Sequence, residues 1–118
     1  MGDFRSLRVW QAAKDLAVKI YKLTATEPYQ KDYRLVNQMR GAAVSVPSNI
    51  AEGDELGTNK QSIRFFYISK GSLAEIITQL VISHEIGYIS KQVSEELIAE
   101  SEHISRMLNN LIKARESK

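Results

Sequence analysis

Gln38-Met-Arg-Gly-Ala-Ala-Val-Ser-Val-Pro-Ser-Asn-Ile-Ala-Glu-Gly53 carries two lines of residues at helical spacing. Leu35, Met39, Ala42, Val46 and Ile50 recur at steps of four, three, four and four, the period of one buried helix face. Gln38, Ser45, Asn49 and Glu52 run beside them as a polar line, with Pro47 in the middle. Proline in a helix interior removes the bond its N–H would make to the carbonyl four residues back, here Ala43, at a cost of roughly 3 kcal/mol. The apolar phase is unchanged on either side of Pro47. The segment therefore predicts one bent helix, which gains something from the bend or from the freed carbonyl.

Outward from this segment the helical period continues in both directions, and the breaks are short. The first helix is expected over about residues 6–26, with Ser6 as N-cap and Val9, Trp10, Ala13, Leu16, Ala17, Ile20 and Leu23 as its stripe; Glu27-Pro28 ends it. The second spans about 31–53, closed by Gly53 as a left-handed terminal residue. The third spans about 58–87, opened by the capping-box pattern Thr58-Asn-Lys-Gln61 and closed by Gly87. Its stripe is Ile63, Phe66, Lys70, Leu73, Ile77 and Leu80. The fourth spans about 90–114, starting near Ser90 and using Val93, Leu97, Ser101, Ile104, Leu108 and Leu111; Arg115 to Lys118 are expected to fray. No segment alternates as a half-buried strand does. Four long helices on short loops predict an all-α, antiparallel up-down-up-down bundle, one domain over residues 1–118.

Composition narrows the function classes. A hydrophobic share of 43% and a charged share of 25% suit a globular chain. There is no cysteine, so no disulfide framework and no thiol chemistry, which fits a reducing cytoplasm. The charged start Met1-Gly-Asp-Phe-Arg-Ser predicts no secretory leader, and no uninterrupted apolar run reaches the roughly 20 residues of a membrane span. Net charge is +2 but uneven: residues 1–40 hold 8 Lys/Arg against 4 Asp/Glu, and residues 41–118 hold 8 against 10.

Several constellations bear on chemistry. Di-iron bundles need two Glu-x-x-His motifs and two further inward glutamates; this chain has one, Glu100-Ser-Glu-His103, and His84 has Val81 where a glutamate is needed. No metal or other cofactor is expected. No serine has a histidine partner readable from spacing, and no glycine loop could cradle phosphate. No enzyme is expected. The polar line on helix two is matched on helix three by Ser72, Glu75 and Gln79. Two readings stay open for Ser45, Pro47, Asn49, Glu52, Gly71, Ser72 and Glu75. One is a hydrogen-bonded layer that fixes register or assembly, with Ser45 and Asn49 satisfying backbone that Pro47 opens. The other is a pocket in the bundle core. Glu52 opposes its own helix dipole and is expected to pair with another helix terminus or with Arg40. Gly71, costly inside a helix, points to close approach by a neighbouring helix.

Arg5, Arg8, Lys14, Lys19, Lys22, Lys31, Arg34 and Arg40 crowd into the first 40 residues, with Tyr29 and Tyr33 flanking the first loop. Such a patch could neutralise phosphates, and it could equally be a solvated face, since Asp15 and Lys19 form an ordinary i,i+4 pair. The best candidates for an RNA or DNA backbone are Lys19, Lys22, Lys31, Arg34 and Arg40, with weak sequence preference. The competing class is a protein-only scaffold.

Phe4-Arg-Ser-Leu-Arg-Val-Trp10-Gln, Tyr21-Lys-Leu-Thr, Gln38-Met-Arg, Ala43-Val-Ser-Val-Pro-Ser-Asn-Ile-Ala-Glu-Gly53, Gly71-Ser-Leu-Ala-Glu75 and Gln79-Leu80 follow one another over nearly the whole chain. They closely resemble a bacterial family, the four-helix bundle proteins first recognised as products of intervening sequences in 23S ribosomal RNA genes. The resemblance implies a left-handed bundle assembled as a ring-shaped homopentamer, without established enzymatic activity. A related branch serves diversity-generating retroelements, where a pentamer binds nucleic acid and a reverse transcriptase, so both become expected partners. The chain departs from the family pattern at Arg34, often glycine there, at Gly41, often arginine, and at Ile77, often polar. Loss of an arginine at position 41 weakens the charge on helix two, and Arg34 partly restores it seven residues earlier.

Overall fold

The computed structural model describes residues 3–56 and 58–117. A single 3-10 turn (Phe4–Ser6) leads into α1 (Arg8–Thr24). A second turn (Glu27–Tyr29) precedes α2 (Tyr33–Glu55), followed by α3 (Asn59–Glu85) and α4 (Lys91–Glu116). The four helices pack into a bundle of 46 × 21 × 20 Å. The connections agree with the expected breaks, and the termini differ in instructive ways.

Helix α1 starts two residues late. Ser6 does not cap it: the N-cap position is Leu7, which makes no side-chain capping bond. Ser6 belongs to the preceding 3-10 turn, where the Asp3 carboxylate accepts from the Arg5 N–H at 3.0 Å and Ser6 Oγ donates to the Asp3 carbonyl at 2.7 Å. Asp32 caps α2 by accepting from the Leu35 N–H at 3.2 Å. Thr58 accepts from the Gln61 N–H at 3.3 Å, half of the expected box, and Gln61 Oε1 meets the Thr58 hydroxyl at 3.2 Å. Gly87 does close α3: at φ +84° it lets its own N–H reach the His84 carbonyl at 3.0 Å and the Tyr88 N–H reach the Ser83 carbonyl at 2.8 Å, the paired bonds of a Schellman motif. Ser90 caps α4 through the Val93 N–H at 3.1 Å.

Gly53 does not terminate α2, which runs two residues further. Its role is steric. A Cβ on Gly53 would stand 2.6 Å from Phe66 Cε1 and 3.0 Å from the Ser62 carbonyl oxygen, so α3 can lie against α2 here only because no side chain intervenes. Ser62 Oγ donates to the Gly53 carbonyl across the same contact.

Pro47 lies inside one continuous α2. The apolar line holds through it: Met39, Ala42, Val46 and Ile50 are buried, and Leu35 is packed at the edge. The side-chain bonds near Pro47 go to neighbouring carbonyls, not to that of Ala43. Asn49 Nδ2 donates to the Ser45 carbonyl at 2.8 Å, and Ser69 Oγ of α3 donates to the Val46 carbonyl at 2.9 Å.

The core seam of α3 is Ser62, Phe66, Ser69, Leu73, Ile76, Leu80 and Ser83, all buried. These steps of four and three repeat every seven residues, the period that keeps one line against a supercoiled neighbour. The expected stripe followed Ile63, Lys70 and Ile77, and all three lie at the border of exposure. Apolarity favours Ile63 over the buried Ser62, and carrying that phase forward at steps of seven selects Lys70 and Ile77 in place of the buried Ser69 and Ile76. On α4, Ser94, Leu97, Ser101, Ile104, Leu108 and Ile112 are buried, with Ile112 in the place expected for Leu111. The two buried serine hydroxyls of α4 are satisfied within the bundle: Ser101 donates to the Leu97 carbonyl at 2.8 Å and Ser94 to the Leu80 carbonyl at 3.4 Å.

Candidate nucleic-acid and assembly surfaces

The cationic candidates divide once their neighbours are known. Arg40 Nε donates to Thr24 Oγ1 at 2.9 Å and Arg40 Nη2 to the Tyr21 carbonyl at 3.3 Å, with the guanidinium carbon 4.7 Å from the Tyr21 ring centre. Thr24 Oγ1 in turn donates to the Ile20 carbonyl at 2.8 Å. Arg40 is thus a staple between α1 and α2, and half-buried. Lys19 Nζ is 2.8 Å from Glu100 Oε1 of α4, and hydrogen bonding to that carboxylate raises its pKa. Lys22, Lys31 and Arg34 are exposed and make no hydrogen bond or ion pair among the described residues.

Those three sit close in the chain's path: Lys22 in the last turn of α1, Lys31 in the connection, Arg34 in the first turn of α2. The Arg40 staple holds the α1 end against α2. Asp32 stabilises the same end: while Oδ1 caps α2, Oδ2 accepts from the Tyr88 hydroxyl at 2.9 Å, and Tyr88 stacks edge-on to Tyr29 at 5.0 Å. The two loop tyrosines part company here. Tyr29 is fully buried, and burial pushes its pKa up; Tyr33 is 75% exposed.

The polar cluster lies along the outer edge of the α2–α3 seam. Ser72 Oγ donates to Ser45 Oγ at 2.8 Å, and Asn49 Nδ2 reaches that hydroxyl at 3.0 Å. The expected hydrogen-bonded layer exists for Ser45, Asn49 and Ser72. Its carboxylates do not join it. Glu52 and Glu75 are exposed and unpartnered among the described residues, which corrects the expected pairing of Glu52 with a helix terminus or Arg40. Glu52 points outward because the buried line passes from Ile50 to Gly53 and Asp54. Asp54 is the buried carboxylate, 3.0 Å from Arg115 Nη2. Arg115, expected to fray, is helical, partly buried and stacked 5.4 Å from the Phe66 ring centre.

Gly71 faces outward within its own chain: a Cβ there would meet nothing within 4 Å, so no helix of the same bundle approaches it. A shallow groove of about 460 Å³ runs between α2 and α3, lined by Gln38, Gly41, Ser45, Ser72, Glu75 and Gln79. Gln79 is 8% exposed, and its Oε1 has no donor. Among the described residues no three His, Cys, Asp or Glu side chains gather to hold a metal ion.

These features define a four-helix bundle with serines in its core and an open polar groove between α2 and α3. The family model of the 23S rRNA-intervening sequence proteins matches residues 5–110, and the chain belongs to that family. The fold is similar to the crystal structure, at 1.70 Å, of a protein of unknown function from the S23 ribosomal protein family of Bacteroides thetaiotaomicron. That likeness has a TM-score of 0.81 at 24% identity, covering 89% of this chain and 98% of the other. No curated protein matches the chain significantly.

Proposed function

We propose that this chain is a non-enzymatic, self-assembling module of the bacterial cytoplasm that meets RNA or DNA through backbone phosphates. The observation that carries the reading is the set Lys22, Lys31 and Arg34, exposed beside Tyr33 at one end of the bundle. Unpaired cations bind phosphate by releasing condensed counterions, and an exposed aromatic ring adds a stacking platform for an unpaired base. Lys19 contributes once its Glu100 partner is displaced, whereas Arg40 serves the fold. Assembly as a homopentamer would repeat the patch around a ring, and a reverse transcriptase is the protein partner implied by the related branch. The lack of cysteine agrees with a reducing compartment.

Within the bundle we take the helices as antiparallel, up-down-up-down and left-handed. The short connections support this order, as does the meeting of the last turns of α2 and α4 through Asp54 and Arg115. The seven-residue seam of α3 supports the hand.

The test is anisotropy of labelled single-stranded RNA and duplex DNA across a salt series. Log affinity should fall linearly with log salt, by roughly 0.7 to 0.9 per phosphate contacted, and Lys31→Gln with Arg34→Gln should flatten that slope. A flat response in the native chain would reject the reading. The second reading, a protein-only scaffold, is favoured by the apolar side chains that α3 leaves uncovered, and it predicts that flat response.

A further inference from the structure

Helix α3 is long and apolar enough to cross a membrane by length and composition, yet only 39% of its apolar stretch is buried. Apolar side chains on a helix are normally turned toward a covering neighbour. On α3, Tyr67, Ile68, Val81 and Ile82 remain 40–53% exposed, and Gly71, Ala74, Glu75 and Thr78 lie exposed between them. Lipid suits this face poorly, since Glu75 stands mid-stripe and the donorless Gln79 amide borders it.

At 3.6 residues per turn, positions 64, 67, 68, 71, 74, 75, 78, 81, 82 and 85 fall within about 70° of one direction. Reversed, the stripe complements itself. Laid antiparallel on its own copy about a point between Ala74 and Glu75, it brings Arg64 level with Glu85 of the second copy, Tyr67 with Ile82, and Gly71 with Thr78. Charge meets opposite charge at both ends, apolar meets apolar inside them, and the small Gly71, Ala74 and Thr78 surround Glu75 near the centre, where two helices come closest.

We infer that α3 docks antiparallel against α3 of a second copy of this chain, along the face from Arg64 to Glu85. The inference rests on the self-assembly reading for the identity of the partner; the register argues for it independently through charge and shape. Such a contact is isologous and closes on itself. Alone it gives a dimer; combined with a five-fold ring it gives ten subunits. Glu75 lies beside the two-fold axis and faces its own counterpart, so the contact carries one built-in repulsion.

Mass by light scattering and sedimentation tests this, with circular dichroism to confirm that each variant is helical. Arg64→Glu and Glu85→Arg should each weaken self-association about tenfold, because each change occurs twice across the axis, and the double variant should recover it. Glu75→Gln should tighten it. Because the chain has no cysteine, G71C and T78C give clean probes: mixed chains should form a disulfide-linked pair, and G71C alone should not. The inference is overturned by charge reversals that leave association unchanged or by mixed cysteine chains that do not link. It is equally overturned by binding to phosphatidylcholine–phosphatidylglycerol vesicles that Ile68→Glu abolishes. A pentamer indifferent to every α3 variant would reject this contact while leaving the ring intact.

Discussion

Arg115 Nη2 stands 3.0 Å from Asp54 Oδ1, binding the last turn of α4 to the last turn of α2. The two side chains are 19% and 11% exposed. A carboxylate at a helix C-terminus opposes the dipole, so Asp54 is tolerable only with its cation. Arg115→Ala removes the partner and the stacking on Phe66, and should cost about 2–3 kcal/mol, somewhat less than for a fully dry pair. At roughly 3–5 °C per kcal/mol, thermal denaturation should show a midpoint lower by on the order of 10 °C. Replacing both members by apolar residues, Asp54→Leu with Arg115→Met, should cost less than the single change. Equal losses would show that the pair is peripheral.

The glycines make opposite predictions. Gly53→Ala places a methyl 2.6 Å from the Phe66 ring and 3.0 Å from a backbone oxygen that cannot move aside, so overpacking should cost about 1–3 kcal/mol. Gly41→Ala meets nothing within 4 Å and should stabilise by up to about 1 kcal/mol through helix propensity. Urea titration of the two variants side by side checks both signs.

Arg40→Ala should lower stability by about 1–2 kcal/mol, since it leaves Thr24 and the Tyr21 carbonyl without their donor and uncovers the Tyr21 ring. Lys31→Gln and Arg34→Gln should leave the melting midpoint within about 2 °C of the parent, as surface changes do. Any nucleic-acid defect of the Arg40 variant should therefore vanish when it is measured at a temperature where the variant is fully folded.

Tyr88 and Tyr29 tie the fold to alkaline pH. The hydrogen bond to Asp32 raises the Tyr88 pKa, and burial raises that of Tyr29. A phenol whose pKa is higher in the folded state contributes stability that is complete below its unfolded value, about 10, and is lost as pH climbs above it. Through these groups stability should not vary with pH near neutrality and should fall above about pH 10. Tyr88→Phe should be less stable at pH 7, having lost the bond to Asp32, and should lose less between pH 10 and 11 than the parent.

Much of this architecture can be read from residue types alone, and the misreadings have separate physical causes. The Met39–Ile50 line needs only apolar spacing to be seen, and it runs through Pro47 as that spacing requires. Gly87 and Ser90 act by local chemistry, a positive φ and a hydroxyl cap, so neighbours in sequence suffice to find them. Ser62, Ser69 and Ser83 escape because serine carries no apolar signal; only the seven-residue phase from Phe66 through Leu73 to Leu80 betrays them. The Asp54–Arg115 pair joins residues 61 apart, and no local pattern distinguishes Asp54 from its acidic neighbours Glu52 and Glu55. Of the five cations singled out, spacing could not say that Arg40 turns inward to Thr24, since that depends on how α1 and α2 are set side by side.

The thin hydroxyl residues that line the inside of α3 and α4 also constrain how this molecule can change over generations. Enlarging any one of them would wedge two rods apart, and shrinking their facing neighbours would leave a hole. Descendants can acquire an oilier interior only through matched exchanges on both rods at once, whereas the outer surfaces remain free to drift toward new partners.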